Sequence, residues 1–415
     1  MGFKRKLLVV TILFIAVVSP ISATKVRAES MAVIELYYEN QSFVYTDEYI
    51  LPSNHLIAVE IFERKINAPL SEKMEIVSRK LKSGTDYKTA LSSCFPLLVP
   101  FVDDVIKSVE KQPKNSEIRF EPQNKKMFKI SREKSGIMVQ EDKLYMDIYF
   151  ALLLSSSPRV KVPAKKIDAQ ISADDNVKLT NLRARYSTDF SQSTEQRKHN
   201  ISLALSKLNG VVLDSGQVLS FNDAVGSRTE KNGFKEAKII KDGKYVLGVG
   251  GGVCQASTTL YNAALLADLS IVAVSRHSLQ SSYELPSFDA MVNSGSSDLK
   301  IKNSSQYLIF IKAYDQGGKA IVEIYGSKLP YVIKRKSEVT FTGQTPVYEE
   351  YVDEKYEHFS LDTPSGEKKT IYYSHPEVHS NGYLLYYDYS GRLIKTKQIR
   401  TDKYNSVSGV IAIAP

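Results

Sequence analysis

Gly248-Val-Gly-Gly-Gly-Val-Cys254-Gln255 runs directly into Ala256-Ser-Thr-Thr-Leu-Tyr-Asn-Ala-Ala-Leu-Leu-Ala267, where Leu260, Ala263, Ala264 and Ala267 recur at i, i+3, i+4 and i+7. Glycines followed by helical periodicity read as a loop feeding a helix. Cys254 therefore falls at or near a helix N-terminus, where unpaired N–H groups and the macrodipole favour an anion and lower a thiol pKa. Residues without Cβ would let a substrate backbone approach closely, so Gly251, Gly252 and the Cys254 amide are the expected oxyanion donors. A phosphate cradle is the competing use of such a loop, but the Lys-Ser/Thr it requires is here Cys-Gln.

Beyond the helix, Ile271-Val-Ala-Val274 reads as a strand and Ser275-Arg-His277-Ser follows it. That order places His277 where it could return beside the helix start and take the thiol proton, as in papain-like and NlpC-type enzymes. A third polar group would orient the imidazole; Asp289 and Asp298 are the candidates, with Asp289 preferred. Arg228, in Gly226-Ser-Arg-Thr, could pair with a substrate carboxylate or be an exposed turn arginine. Ser257 and Thr258, one turn past the cysteine, would contact substrate or merely cap. The bland alternatives are a buried, inert Cys254 and a disulfide between Cys94 and Cys254, the two cysteines of the chain. His55, His199, His358, His375 and His379 show no metal-ligand spacing, so neither a metal nor another cofactor is expected.

Outward from this centre, Ser193-Thr-Glu-Gln reads as a capping box for a helix with Ile201, Ala204, Leu205 and Leu208 on one face and Asn209-Gly210 as its stop. Val211 to Leu213 and Val218 to Phe221 read as strands. Upstream, strand-like Ala32-Val-Ile-Glu-Leu-Tyr-Tyr and Leu56-Ile-Ala-Val-Glu-Ile-Phe alternate with a charged helix over 72–82, a strand at Phe128-Lys-Ile and a helix over 142–154. Downstream of Arg335 the chain is strand-like, with hairpin turns expected at Thr363-Pro-Ser-Gly and Ser390-Gly391. The expected architecture is α+β and multi-domain: an α+β domain over 29–180, a central α+β domain over 181–330 and a small β-rich module over 335–415.

Lys4, Arg5 and Lys6 ahead of the apolar run Leu7 to Val18 predict an export signal over 1–28, cleaved or retained as an anchor. The chain's net charge of +9 falls to +4 without that segment, which holds five basic residues and no acidic ones. Mild, unclustered basicity excludes nucleic acid as a partner and suits an anionic envelope surface. The 25 tyrosines concentrate in strand-like stretches such as Tyr383-Leu-Leu-Tyr-Tyr-Asp-Tyr and need no ligand to explain them.

Tyr186-Ser-Thr, Arg197-Lys-His-Asn200, Leu208-Asn-Gly, Gly216-Gln-Val-Leu-Ser-Phe-Asn, Val225-Gly-Ser-Arg-Thr, Gly250-Gly-Gly-Val-Cys-Gln-Ala-Ser-Thr-Thr-Leu-Tyr-Asn, His277-Ser and Asp289-Ala resemble the VanW domain in order and spacing. More weakly, residues 116–171 resemble the peptidoglycan-binding domain often found upstream of it. The resemblance implies a cell-wall protein of the kind associated with vancomycin-resistance clusters, some members being linked to L,D-transpeptidase activity on peptidoglycan. Carried over, Cys254 would form a thioester with a stem peptide, His277 would serve as base and Asp289 would orient it. The Ser-His-Gly-Cys signature of the better-known L,D-transpeptidases is absent. A non-catalytic wall-binding or glycopeptide-resistance accessory role and a peptidoglycan endopeptidase or carboxypeptidase are the alternatives.

Overall fold

The structure, a computed structural model, describes residues 32–46, 68–241 and 244–415. The expected signal segment and the Leu56–Phe62 strand lie outside them. Among the described residues no helix is long and apolar enough to cross a membrane. The described chain is α+β and forms two compact units.

The first unit takes in the described residues up to Lys114 together with Lys134–Gln170. Its three-stranded sheet has Val33–Tyr38 at the centre, antiparallel to Gln41–Thr46 and parallel to Arg159–Lys161. Alternation along the central strand sends Ile34 and Leu36 inward, against Val77, Leu91, Phe95, Val102, Leu144 and Ile148 of the covering helices. The helices run over Leu70–Lys82, Tyr87–Ser92, Leu98–Val109 and Glu141–Leu154, so the two expected from the sequence begin two residues and one residue earlier than predicted.

The second unit, Asn115–Glu133 with Ile171–Pro415, departs from the expected 29–180 boundary. The hairpin Ile118–Phe120/Phe128–Ile130 belongs to it because Phe120 and Phe128 stack 5.0 Å apart and pack on Phe310 and Tyr325. Those two rings sit on one face of a four-stranded antiparallel sheet ordered Asn181–Asp189, Lys319–Gly326, Ile309–Gln316, Val212–Leu213. From the opposite face Ile309, Ile311, Ala313, Ala320, Val322 and Ile324 enter the main core with the helices Glu195–Leu208 and Val253–Leu266. The period-two alternation of the two central strands thus covers the sheet on both sides.

Two local readings shift. The Glu195–Leu208 helix is capped by Thr194, whose hydroxyl accepts from the Arg197 amide, while Ser193 instead accepts from the Arg197 guanidinium at 2.7 Å. The strand over Val218–Ser220 ends one residue early, because Ser220 caps a short helix, Phe221–Val225, whose first residue is buried.

The C-terminal module holds two three-stranded sheets: Val332–Thr342, Val378–Tyr387, Leu393–Tyr404, and Glu349–Val352, Val410–Ile413, Lys368–Tyr372. Ser390-Gly391 makes the expected hairpin turn, with Gly391 at φ +88°. Thr363-Pro-Ser-Gly does not, since Val410–Ile413 inserts between the strands flanking it. The module shares a core with the central domain, to which it gives Ile333, Leu384 and Tyr386.

Candidate functional site

The glycine loop leaves the hairpin Glu236–Lys241/Lys244–Val249 and enters the Val253–Leu266 helix. Gly250 and Gly252 have φ of +89° and +104°, the left-handed region closed to most side chains. A Cβ on Gly250 would stand 2.9 Å from Arg228 Cβ, one on Gly252 2.8 Å from Arg197 Cγ, and one on Gly251 2.7 Å from the Lys238 carbonyl oxygen. The space beside these glycines is thus filled by protein, not left for a substrate backbone as the sequence suggested. Their function is to let the loop lie flush against two arginine stems and a neighbouring strand.

Asn200 fixes the loop in that position. Fully buried, it donates to the Lys235 and Gly251 carbonyls at 2.8 and 3.0 Å and accepts from the Lys235 amide at 2.8 Å. Asn200→Ala strands a buried carbonyl and amide, so we expect a loss of about 2–4 kcal/mol in denaturant unfolding. A loss below about 0.5 kcal/mol would show that the loop holds itself.

The N-terminus of the Val253–Leu266 helix is capped by Gly252 without a side-chain partner. Among the described residues the amides of Gly251, Gly252 and Cys254 have no hydrogen-bond acceptor. Cys254 is a free, partly exposed thiol with Sγ 3.3 Å from the Val292 carbonyl oxygen. Cys94 lies in the first unit and no disulfide joins it to Cys254.

His277 lies past the end of the Ser270–Ala273 strand, where a bridge between Ser275 and Met291 folds the chain back on itself. Asp289 Oδ2 accepts from the His277 amide at 2.7 Å and lies 2.6 Å from Nδ1. With Nδ1 protonated toward Asp289, Nε2 is the nitrogen left for the thiol. Burial alone would push the Cys254 thiol up, but its hydrogen bond to His277, the imidazole charge and the charge of Arg228 bring it below the ordinary cysteine value. Burial would likewise lower His277; Asp289 and Cys254 outweigh it and raise the imidazole to about 10. Asp289, although buried, is held below the ordinary carboxylate value chiefly by His277 and Arg400. These shifts favour the thiolate, imidazolium and carboxylate forms of the three groups.

Asp289 has further partners that sequence reasoning missed. Tyr404 donates to Oδ1 at 2.7 Å and accepts from the Ser287 amide at 2.7 Å. Arg400 donates to the Asp289 carbonyl and lies 3.4 Å from Oδ1, with Asp402 2.9 Å from its Nε. Arg400, Asp402 and Tyr404 share one face of the Leu393–Tyr404 strand. A strand face bearing Arg, Asp and Tyr where apolar residues would be expected was the available signal.

Other expected site residues fall elsewhere. Asp298 is occupied by Ser220 Oγ and the Asn222 amide and takes no part in the triad. Thr258 cannot touch substrate: it is fully buried and accepts from the Ala290 amide at 3.0 Å, while Ser257 donates to the Ala290 carbonyl. Both tether the segment that carries Asp289 to the helix that carries Cys254. The helix is buried nearly all round and its polar side chains donate inward, Gln255 to Thr188 and Asp189 and Asn262 to Glu284 and Phe288, although Gln255 Oε1 has no partner among the described residues. Arg228 stays close enough to act on the thiol. An open hollow of about 750 Å³ lined by Thr194, Phe234, Lys235 and Leu247 contains neither Cys254 nor His277. Convergent reactive groups, not volume, mark the site.

Cys254 at a helix N-terminus, with His277 and Asp289 buried behind it, is an arrangement of nucleophile-type, base-type and orienting groups. The chain contains a VanW-like domain: the VanW like protein family model matches residues 196–325, which hold all three groups. The uncharacterized protein YoaR of Bacillus subtilis (strain 168) is 35% identical over 44% of this chain and 61% of its own length. The vancomycin B-type resistance protein VanW of Enterococcus faecalis (strain ATCC 700802 / V583) is 28% identical over 36% of this chain and 56% of its own. The chain thus spans less than two thirds of the length of these curated relatives. Among solved structures, HP0197-G5 aligns over 20% of this chain and 95% of its own at 8% identity, with a TM-score of 0.11, too slight a likeness to bear on the fold.

Proposed function

We propose that this chain is an exported cell-wall enzyme that transfers a peptidoglycan stem-peptide acyl group through a thioester on Cys254, an L,D-transpeptidase forming 3-3 crosslinks. The observation that supports the reading is the 2.6 Å pairing of Asp289 with His277 Nδ1, which leaves the other ring nitrogen available to the Cys254 thiol. One relative's printed association with vancomycin resistance supports a cell-wall setting.

In the first half-reaction the Cys254 thiolate attacks the carbonyl carbon of the donor amide and the C=O pair moves onto oxygen, facing the free amides of Gly251, Gly252 and Cys254. The pair returns, the C–N bond breaks, and the His277 imidazolium gives its proton to the departing amine. An acceptor amine then attacks the thioester carbonyl. Its proton passes to His277, the C–S bond breaks and the thiolate is regenerated. Water in place of the amine gives hydrolysis by the same groups.

The test is a mass spectrum of the mature protein incubated with a tetrapeptide donor. An adduct on Cys254 lighter than the full donor by the leaving residue supports acyl transfer, and crosslinked dimers on adding an acceptor support a transpeptidase. Shortened stems alone make it a carboxypeptidase, and no adduct leaves a binding role.

The pH dependence follows from the same pair. The thiol lies below and the imidazole above its ordinary value, the directions that favour a thiolate–imidazolium pair. Alkylation of Cys254 by iodoacetamide should therefore climb less from pH 7 to 9 than that of an ordinary cysteine, which accelerates by roughly 25-fold over that range. In His277→Gln burial is opposed only by the Val292 contact and the arginine charges. The thiol then rises and the rate at pH 7 drops by about tenfold or more. A wild-type profile that climbs like that of a free thiol would count against the ion pair.

A further inference from the structure

Arg197 and Arg228 each rest an alkyl stem on a glycine of the loop, Arg197 on Gly252 and Arg228 on Gly250, and both charges act on the Cys254 thiol. They come from different elements, Arg197 from the Glu195–Leu208 helix and Arg228 from the turn after Phe221–Val225. Neither guanidinium is an exposed surface group. Burial pulls both below the ordinary arginine value.

Neither has a carboxylate to pair with. Among the described residues no acidic oxygen lies within ion-pair distance of either, and their polar side-chain contacts are neutral: Arg197 Nη1 to Ser193 Oγ at 2.7 Å and Arg228 Nη2 to Asn222 Oδ1. Arg197 also faces the Tyr283 ring and Arg228 the Phe221 ring, each 5.8 Å from the centroid. Asp298 acts on Arg228 only through charge and is held by Ser220 and Asn222. Arg335 and Arg400 in the same unit are ion-paired, Arg335 with Glu284 at 3.0 Å and Arg400 with Asp289 and Asp402, whereas Arg183, which feels Asp268 and not Cys254, is unpaired among the described residues as Arg197 and Arg228 are. Withdrawing a guanidinium from water without a counter-ion is costly, and it is tolerated where a ligand supplies the missing charge.

Around the reacting sulfur, Arg197 and Arg228 add positive charge beside His277, and neither guanidinium has a carboxylate held against it. Each guanidinium has five N–H donors in a planar fork that matches a carboxylate. We infer that Arg197 and Arg228 form a two-armed carboxylate site, and that the substrate of Cys254 is an amide whose leaving residue ends in a free α-carboxylate. This rests on Cys254 being the nucleophile. It adds the residues that select the end of a peptide, because that carboxylate sits two bonds from the scissile nitrogen and an internal peptide bond has none there. A side-chain carboxylate on the acyl side offers the same chemistry, and the test separates the two.

Iodoacetate and iodoacetamide are the probes, since they share size and leaving group and differ in the carboxylate. At an ordinary thiolate the anionic reagent is the slower. Here iodoacetate should alkylate Cys254 faster, by roughly tenfold or more, and Arg197→Gln with Arg228→Gln should reverse the order while iodoacetamide still reacts. A tetrapeptide donor with a free C-terminus should acylate Cys254 and its C-terminal amide should not. If the amide acylates equally well, the carboxylate is not that of the leaving residue and the inference fails. Iodoacetate slower than iodoacetamide in the wild type, or a preference that survives both substitutions, also overturns it while leaving the nucleophile intact. If neither reagent modifies Cys254, the thiol reading itself falls and the carboxylate site with it. The wild-type ratio and the peptide pair need no variant, so misfolding of the arginine variants does not leave the inference open.

Discussion

Cys254→Ala abolishes acyl-enzyme formation and lowers crosslinking by about 10⁴-fold or more, as expected where a nucleophile and its base act as one unit. The fold should survive, because the side chain is small, partly exposed, and makes only weak thiol contacts to the Val292 carbonyl and His277. Unfolding free energy should change by less than about 1 kcal/mol. Cys254→Ser sharpens the point: it keeps the shape and can still donate to Val292, but a hydroxyl stays protonated where the thiol does not. It should be nearly as inactive as alanine. Crosslinked dimers formed by purified Cys254→Ala at anything near the wild-type rate would rule out covalent catalysis at this residue. Donor binding unchanged by the substitution, with no wild-type adduct, would point to a wall-binding protein.

Much of this centre was legible in the sequence, and the part that was not has a common physical origin. The loop, the helix and the order Cys254, His277, Asp289 are local or semi-local features, set by glycine content, period and turn chemistry. Asp289 could be preferred over Asp298 but not established, because the choice depends on which chain reversal carries an acid to His277, and the Ser275–Met291 bridge decides it. The function of the glycines was misread, since absence of a Cβ looks the same in sequence whether the space goes to a ligand or to Arg197 and Arg228. Thr258 and Ser257 looked like substrate contacts because hydroxyls on a helix suggest a polar face. In fact the helix is buried nearly all round and its hydroxyls pair inward. Asn200, Arg400 and Tyr404 act across sequence separations of 35 to 117 residues, which no local pattern encodes. The same holds for the hairpin around Phe120 and Phe128, which belongs to the second unit through ring contacts made almost two hundred residues downstream.

Asp289→Asn should cost about 10³–10⁴-fold in turnover, with the chain still folded. Every neighbour of the carboxylate is a donor: the His277 amide and Nδ1, the Tyr404 hydroxyl and Arg400. An amide in that position meets a donor with its own NH₂ whichever way it turns. It either faces Arg400 or forces the His277 ring to the other tautomer, which offers the thiol an N–H that cannot accept its proton. The imidazole would fall from about 10 and the thiolate–imidazolium pair would discharge. Tyr404→Phe is the graded companion, removing one donor from Asp289 and one acceptor from Ser287, whose φ of 67° is unusual for a non-glycine and is over-determined by bonds to Tyr404 and Ser380. A loss of roughly 10–100-fold in turnover is expected, with a downward shift of the His277 titration followed by NMR and about 1–3 kcal/mol of stability. If Tyr404→Phe lost stability but left the His277 titration and the pH profile unmoved, Tyr404 would be structural only. The matched domain ends at residue 325, and Tyr404 and Arg400 lie beyond it. The matched stretch holds Cys254, His277 and Asp289, but the Asp289 carboxylate is also held from the C-terminal strand. A fragment cut after Gly326 should therefore keep the Cys254 motif and lose the ion pair that activates it.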